Sequence, residues 1–178
     1  AACQTADMNI IHVVHGYAPA VGGTEFLFQQ ISERLVSRYK DRVTILTTNA
    51  YSSGMFVDPS QPSMPLLESE EINGVRVRRF PVNNRIAPRI KSLQRKAYEN
   101  DWPFNDVLRT LYHGPISWPM FRAILNLEAD VVAASAFPLL HMYYAALGKR
   151  FNRIPLVLYG ALHPGQDWSY DRSIIYRA

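Results

Sequence analysis

Two polar, glycine-bearing loops carry the residues best suited to chemistry in this chain. The first reads HGYAPAVGG from His15 to Gly23 and runs into Thr24 and Glu25. Paired glycines ahead of a helix let backbone N–H groups approach an anion closely, and the helix dipole adds partial positive charge there. Gly22, Gly23 and Thr24 are thus candidate contacts to a phosphate, although a Gly-Gly pair also suits an ordinary tight turn. Glu25 conflicts with this. An acid in a first helical turn suits the dipole, but it competes with a phosphate unless it points away or holds a hydroxyl. The second loop reads GALHPGQDW from Gly160 to Trp168. His163 within it is the candidate catalytic residue, because a neutral imidazole can donate or accept a hydrogen bond at a reacting hydroxyl. The alternative is a loop histidine bonded to its own neighbours. His15 is a weaker site candidate and His12 reads as a core histidine. His113 and His141 receive no role.

Other chemistries lack their patterns. The histidines show no H-x-x-x-H or H-E-x-x-H spacing and Cys3 is the single cysteine, so no metal site is expected. No G-x-S-x-G or Walker A run is present, and Gly16, Gly22 and Gly23 do not fit G-x-G-x-x-G.

The elements that must position both loops follow from periodicity. Ile10, Ile11, Val13 and Val14 form a β-branched run suited to a strand buried on both faces. Thr24 is expected to cap a helix whose apolar face carries Leu27, Phe28, Ile31 and Leu35. Val43–Thr48 reads as a second buried strand and Ala50–Pro65 as loop. Asn73-Gly74 signals a hairpin or edge addition to the sheet, since both residues tolerate positive φ. Gly114-Pro115 is expected to open a helix to about Glu128. Val131–Ser135 then reads as a strand, Pro138 or Leu139 to Arg150 as a helix, and Leu156–Tyr159 as a strand. Tyr170 to Arg177 starts a last helix. This alternation predicts an α/β fold, a Rossmann-like, mostly parallel sheet with helices on both faces. Ligands in such sheets bind at the carboxyl ends of the strands, and both polar loops leave such ends, on one edge.

Of 178 residues, 48% are hydrophobic and 19% charged, and the net charge is +4, enough for one ordinary globular domain. The leading residues 1–8 read as a tail or remnant without a signal-peptide pattern. The uncharged run Val131–Gly148 is long enough to span a bilayer, but Pro138, Ser135 and His141 interrupt it, so strand plus helix is the expected reading. Arg85, Arg89, Lys91, Arg95 and Lys96 fall in one acid-free stretch. Ile86, Ile90, Leu93 and Ala97 share a helical face within it. Such a basic amphipathic helix suits either a solvated surface or an anionic membrane face. No aromatic residue is interleaved and no nucleic-acid motif accompanies it, so nucleic acid is not the expected partner. Tyr98, Trp102, Phe104 and Tyr112 follow or flank it, as core or as the lining of an acceptor pocket.

Taken together in order, HGYAPAVGGTE with its strand and helix, INGVRVRRFP at Ile72–Pro81, HGPIS with the helix into ADVV, and IPLVLYGALH at Ile154–His163 resemble a known family. The chain is similar, from Met8 onward, to the amino-terminal half of retaining glycosyltransferases of the GT-B type, family four. The resemblance implies one half of a two-domain fold. Its amino-terminal domain holds the acceptor and its carboxyl-terminal domain most of a nucleotide-sugar donor. It places the donor diphosphate at Gly22 and Gly23, with Thr24 beside them, and His163 beside the transferred sugar, and it requires no metal or other cofactor. The family's histidine is often followed by Asp or Gly, whereas Pro164 follows here. The resemblance also leads one to expect a truncated piece, nearly inactive alone, with residues 9–178 as the acceptor-side domain. It implies a cytoplasmic enzyme, at the inner membrane face if the basic helix docks there. The acceptor is open: a sugar, a lipid-linked molecule or another group. A non-catalytic α/β nucleotide- or anion-binding module, or a basic membrane-docking domain, is the alternative.

Overall fold

The computed structural model describes residues 7–67, 69–137 and 139–160. Strand β1 (Asn9–Val13) leads through α1 (Gly23–Arg34) and a wide π turn at Leu35–Tyr39 to β2 (Arg42–Thr48). The hairpin β3 (Glu70–Ile72) and β4 (Val75–Phe80) follows, then helices α2 (Ala87–Glu99), α3 (Asn105–His113) and α4 (Trp118–Leu125). Strand β5 (Val131–Ser135), helix α5 (Leu140–Asn152) and strand β6 (Leu156–Tyr159) complete the described fold.

The six strands form one Rossmann-like sheet in the order β3-β4-β2-β1-β5-β6, parallel except for the β3–β4 pair. Alternation along β1 sorts its side chains to two faces. Ile11 and Val13 join Met120 and Ile124 of α4 and Met142 and Ala145 of α5 on one side. Ile10 and Val14 join Phe28 of α1 with Val43, Ile45, Val75 and Val77 on the other. Both faces are covered, which is why β1 and β2 read as unbroken apolar runs rather than alternating ones. The run from Val131 resolves into β5 and α5, and among the described residues no helix is long and apolar enough to cross a membrane.

Asn73 and Gly74 take positive φ, 51° and 82°, and turn β3 antiparallel onto β4 as the Asn-Gly pair predicts. Three local expectations fail. Thr24 does not cap α1: the N-cap is Gly22 in extended backbone, so the helix begins at Gly23 and Thr24 is already inside its first turn. Gly114-Pro115 does not open a helix. Gly114 ends α3 by bonding back to Thr110 and Leu111, and the Ser117 hydroxyl caps α4 by accepting from the Met120 amide at 3.4 Å. The third is a helix not expected from the sequence: within the aromatic and polar stretch Asn100–His113, Asn105–His113 is helical.

Arg79 on β4 ties the first polar loop to the sheet. Its guanidinium pairs with Glu70 at 2.5 Å and donates to the backbone carbonyls of Tyr17, at 3.3 Å, and Ala18. Arg79 is 9% exposed, so its loss leaves the Tyr17 and Ala18 carbonyls without their donor and the Glu70 carboxylate without its partner. Arg79→Met is expected to lower unfolding free energy in urea by about 2–4 kcal/mol. Glu70→Gln is expected to cost less, since that side chain is partly solvated.

Candidate functional site

Strand β1 lies between β2 and β5, and the chain passes from β1 toward β2 but returns to β5 on the opposite side. The order of strands reverses there, so the loops after β1 and β5 diverge and leave a crevice at the carboxyl edge. Gly22, Gly23 and Thr24 stand at this crevice, where the first polar loop enters α1. Strand β6 runs parallel to β5, so Tyr159 ends at the same edge, its ring 6.3 Å from Phe28 of α1. The chain beyond Gly160, with His163, lies outside the described residues.

The crevice is organised around His15. The Thr48 hydroxyl of β2 holds the His15 carbonyl at 2.6 Å. The imidazole Nε2 meets the Glu25 carboxylate at 2.9 Å, and each side chain is 13% exposed. A carboxylate only accepts, so Nε2 carries a proton, and Nδ1 is left without a partner. The hydrogen bond from His15 holds the Glu25 carboxyl below the usual range against the opposing pull of burial, and the electrostatic attraction of His15 and the residue's own amide add to this. Glu25 therefore does not point away from the glycines. A Cβ on Gly22 would lie 2.3 Å from Glu25 Oε2, and one on Gly16 would lie 2.9 Å from Oε1. Both glycines leave room for the carboxylate. Gly23 is different: nothing stands within 4 Å of its Cβ position.

His141, which sequence reasoning left without a role, closes the cluster from the β5 side. Its ring centroid is 5.9 Å from that of His15, and it is fully buried. Its Nε2 donates to the carbonyl of Ser135, the last residue of β5, which leaves Nδ1 as an acceptor. His15 Nδ1, His141 Nδ1 and Ser135 Oγ are all buried without a hydrogen-bond partner. Buried polar atoms without a partner are costly and uncommon, and Tyr17 Oη and Thr47 Oγ1 are further instances among the described residues. Between Ser135 and α5, Ala136 holds φ 90°, a strained conformation for a residue with a Cβ. The amide of Leu139 bonds its carbonyl at 3.0 Å and Leu140 bonds Gly114 at 2.8 Å, which keeps the turn in place. Sequence held one signal for His141: it stands in the first turn of the helix that follows a buried strand.

His12 is a core histidine, as expected. Its Nδ1 lies 2.8 Å from Ser32 Oγ, whose own proton goes to the Phe28 carbonyl at 2.6 Å, so His12 donates from Nδ1. Burial pulls His12 down to about 4 and His141 to about 3.

The basic residues form a separate feature. Arg85 precedes α2, Arg89, Lys91, Arg95 and Lys96 lie along it, and all five are exposed. Trp102 lies in the α2–α3 turn, 5.3 Å from Phe104. They are not part of the crevice. The base of the α2–α3 pair adjoins it through Phe56, whose ring is 6.3 Å from His15 and whose Cβ would lie 3.1 Å from a Cβ on Gly114. Among the described residues, no group of three or more His, Cys, Asp or Glu is arranged to hold a metal ion.

Comparison with protein-family models, curated proteins and solved structures returns no match. What the geometry supports by itself is a site at the strand-order reversal that presents hydrogen-bond acceptors and an open helix start.

Two outcomes check this arrangement. Because both buried histidines are neutral in the fold and protonate near 6.5 once unfolded, stability should be complete above about pH 6.5. It should fall as acid lowers the pH toward 4 and below, by about 1.4 kcal/mol per pH unit for each histidine. Urea titrations across this range measure the slope, and His141→Gln should remove roughly half of it. Gly22→Ala should expel the Glu25 carboxylate and break its pair with His15, visible as a changed His15 Nε2 nitrogen shift and about 1–2 kcal/mol of lost stability. Gly23→Ala should leave the pair intact and be neutral to mildly stabilising.

Proposed function

We propose that this chain is the acceptor-side, amino-terminal half of a retaining glycosyltransferase of GT-B architecture, working with a donor-binding half in its parent chain. The observation that carries the reading is the glycine loop: it enters α1 at the strand-order reversal, beside buried imidazole acceptors. In this reading the diphosphate of a nucleotide-sugar approaches the start of α1 over Gly23, where space is open, with Thr24 alongside. Glu25 either swings from Gly22 or holds a hydroxyl. The bond from the anomeric carbon to the diphosphate oxygen breaks. The acceptor oxygen bonds to that carbon with the same configuration, and the acceptor's proton leaves with the diphosphate. His163 is the residue this reading assigns to the migrating sugar, and no metal or other cofactor takes part. The proposed setting is cytoplasmic.

Glu25 also favours a second reading. A carboxylate already seated against Gly16 and Gly22 satisfies the loop internally, as it would in a non-catalytic α/β binding module.

Amide NMR during titration with inorganic pyrophosphate, and then with a panel of nucleoside-diphosphate sugars, separates the two. The transferase reading expects shifts at Gly22, Gly23 and Thr24. It also expects tighter pyrophosphate binding in Glu25→Gln, by about fivefold for one removed like charge. Unmoved amides in both proteins overturn it. So does a parent reading frame without a second α/β half.

A further inference from the structure

We infer that the α2–α3 pair is a membrane-docking hairpin that binds an anionic lipid surface through a basic flank and an aromatic tip. This stands apart from the transferase reading and would survive its failure. No side chain of α2 or α3 belongs to the apolar cores of the sheet. Of α2 only Ala87 and Ala97 are buried, and of α3 none. The helices hold each other instead. Gln94 donates to Asn105 at 2.9 Å, and the Lys91 ammonium lies over the Tyr112 ring at 5.6 Å. Of the apolar stripe, Ala97 is buried, Ile86 and Ile90 are half-buried, and Leu93 stays exposed. Leu93, Tyr98, Trp102, Phe104 and Val107 remain exposed, Tyr98 by 61% and Phe104 by 44%.

Charge and shape select the occupant. Arg85, Arg89, Lys91, Arg95 and Lys96 line one helix without an intervening acid. The Arg95–Glu99 pair at 2.9 Å is largely exposed and leaves that guanidinium free to exchange partners. Long basic side chains reach headgroup phosphates while amphipathic rings settle at the headgroup–acyl boundary. Trp102 and Phe104 are gathered at the tip rather than interleaved with the basic residues, the arrangement for shallow insertion rather than base stacking. Glu99, Asp101 and Asp106 flank the tip and oppose an anionic surface there, so the attraction to headgroups must come from the basic flank. The base of the hairpin, at the end opposite the tip, meets the crevice through Phe56.

Co-sedimentation with phosphatidylcholine–phosphatidylglycerol vesicles, against vesicles of phosphatidylcholine alone and against duplex DNA, tests this. The protein is expected to partition to the anionic vesicles and to be released by high salt. Substituting Arg89, Lys91 and Arg95 by Gln should weaken partitioning by on the order of a hundredfold. Trp102→Ser with Phe104→Ser should weaken it by about tenfold, with unchanged DNA retention and an unchanged melting temperature, because both rings are exposed. Equal sedimentation of wild type and both variants overturns the inference. So does salt-sensitive DNA binding with no loss in the tip variant, which would identify a general polyanion site.

Discussion

The placement of β1 between strands that leave it in opposite directions is the constraint on which the rest depends. A parallel strand can be flanked by β2 and β5 only if the helices that return the chain cover different faces. Here α1 covers one face, and α4 and α5 the other. The segments leaving β1 and β5 must then part at the carboxyl edge, and side chains at their roots turn toward the gap. His15 and Ser135 are those root residues, and His141 reaches the same place from α5. The cluster is thus a consequence of strand order, not of any local motif.

The imidazoles there have their tautomers set by oxygens that can only accept. Glu25 takes the proton-bearing side of His15 and the Ser135 carbonyl that of His141. Each ring is thereby left with an unpartnered Nδ1, and on neutral His141 that nitrogen is an acceptor. Desolvation keeps His141 neutral at ordinary pH, so it cannot be silenced by protonation there. A hydroxyl-bearing ligand would find acceptors already oriented, without the reorganisation that a solvated site demands. Around this, Arg79 and Thr48 fix the loop from the sheet side, and the strained turn at Ala136 is held by Leu139 and Leu140. The cost of that strain is spread over contacts that have no chemistry of their own.

Glu25 shows how one residue changes the meaning of a glycine loop. Gly-Gly before a helix reads as an open anion seat. In the fold, two of the three glycines exist to admit a carboxylate, and only Gly23 borders open space. The loop is still electropositive by backbone geometry, but its own side chain meets part of that demand. Any anion proposed for it must reckon with this competition, which distinguishes a displaceable seat from a permanently closed turn.

Residue order alone determined the sheet. Apolar β-branched runs at Ile10–Val14, Val43–Thr48 and Val131–Ser135 need two covered faces, and Asn73-Gly74 needs positive φ, so strands and hairpin were legible from local physics. The core role of His12 was legible for the same reason, since it interrupts a buried strand. The glycine loop's place at a strand end was legible too. The limits of helices were less so: Gly114 ends α3 through its backbone angle and Ser117 starts α4 through its hydroxyl, and the Gly-Pro pair reads in sequence as the start instead. Tertiary structure alone decided that Glu25 folds onto Gly16 and Gly22, that His141 meets His15, and that the basic helix stands off the core. The histidine contact joins segments far apart in the chain, the Glu25 contact is local but depends on the path of the loop, and no periodicity encodes which of several crevice-facing side chains will share the same few ångströms.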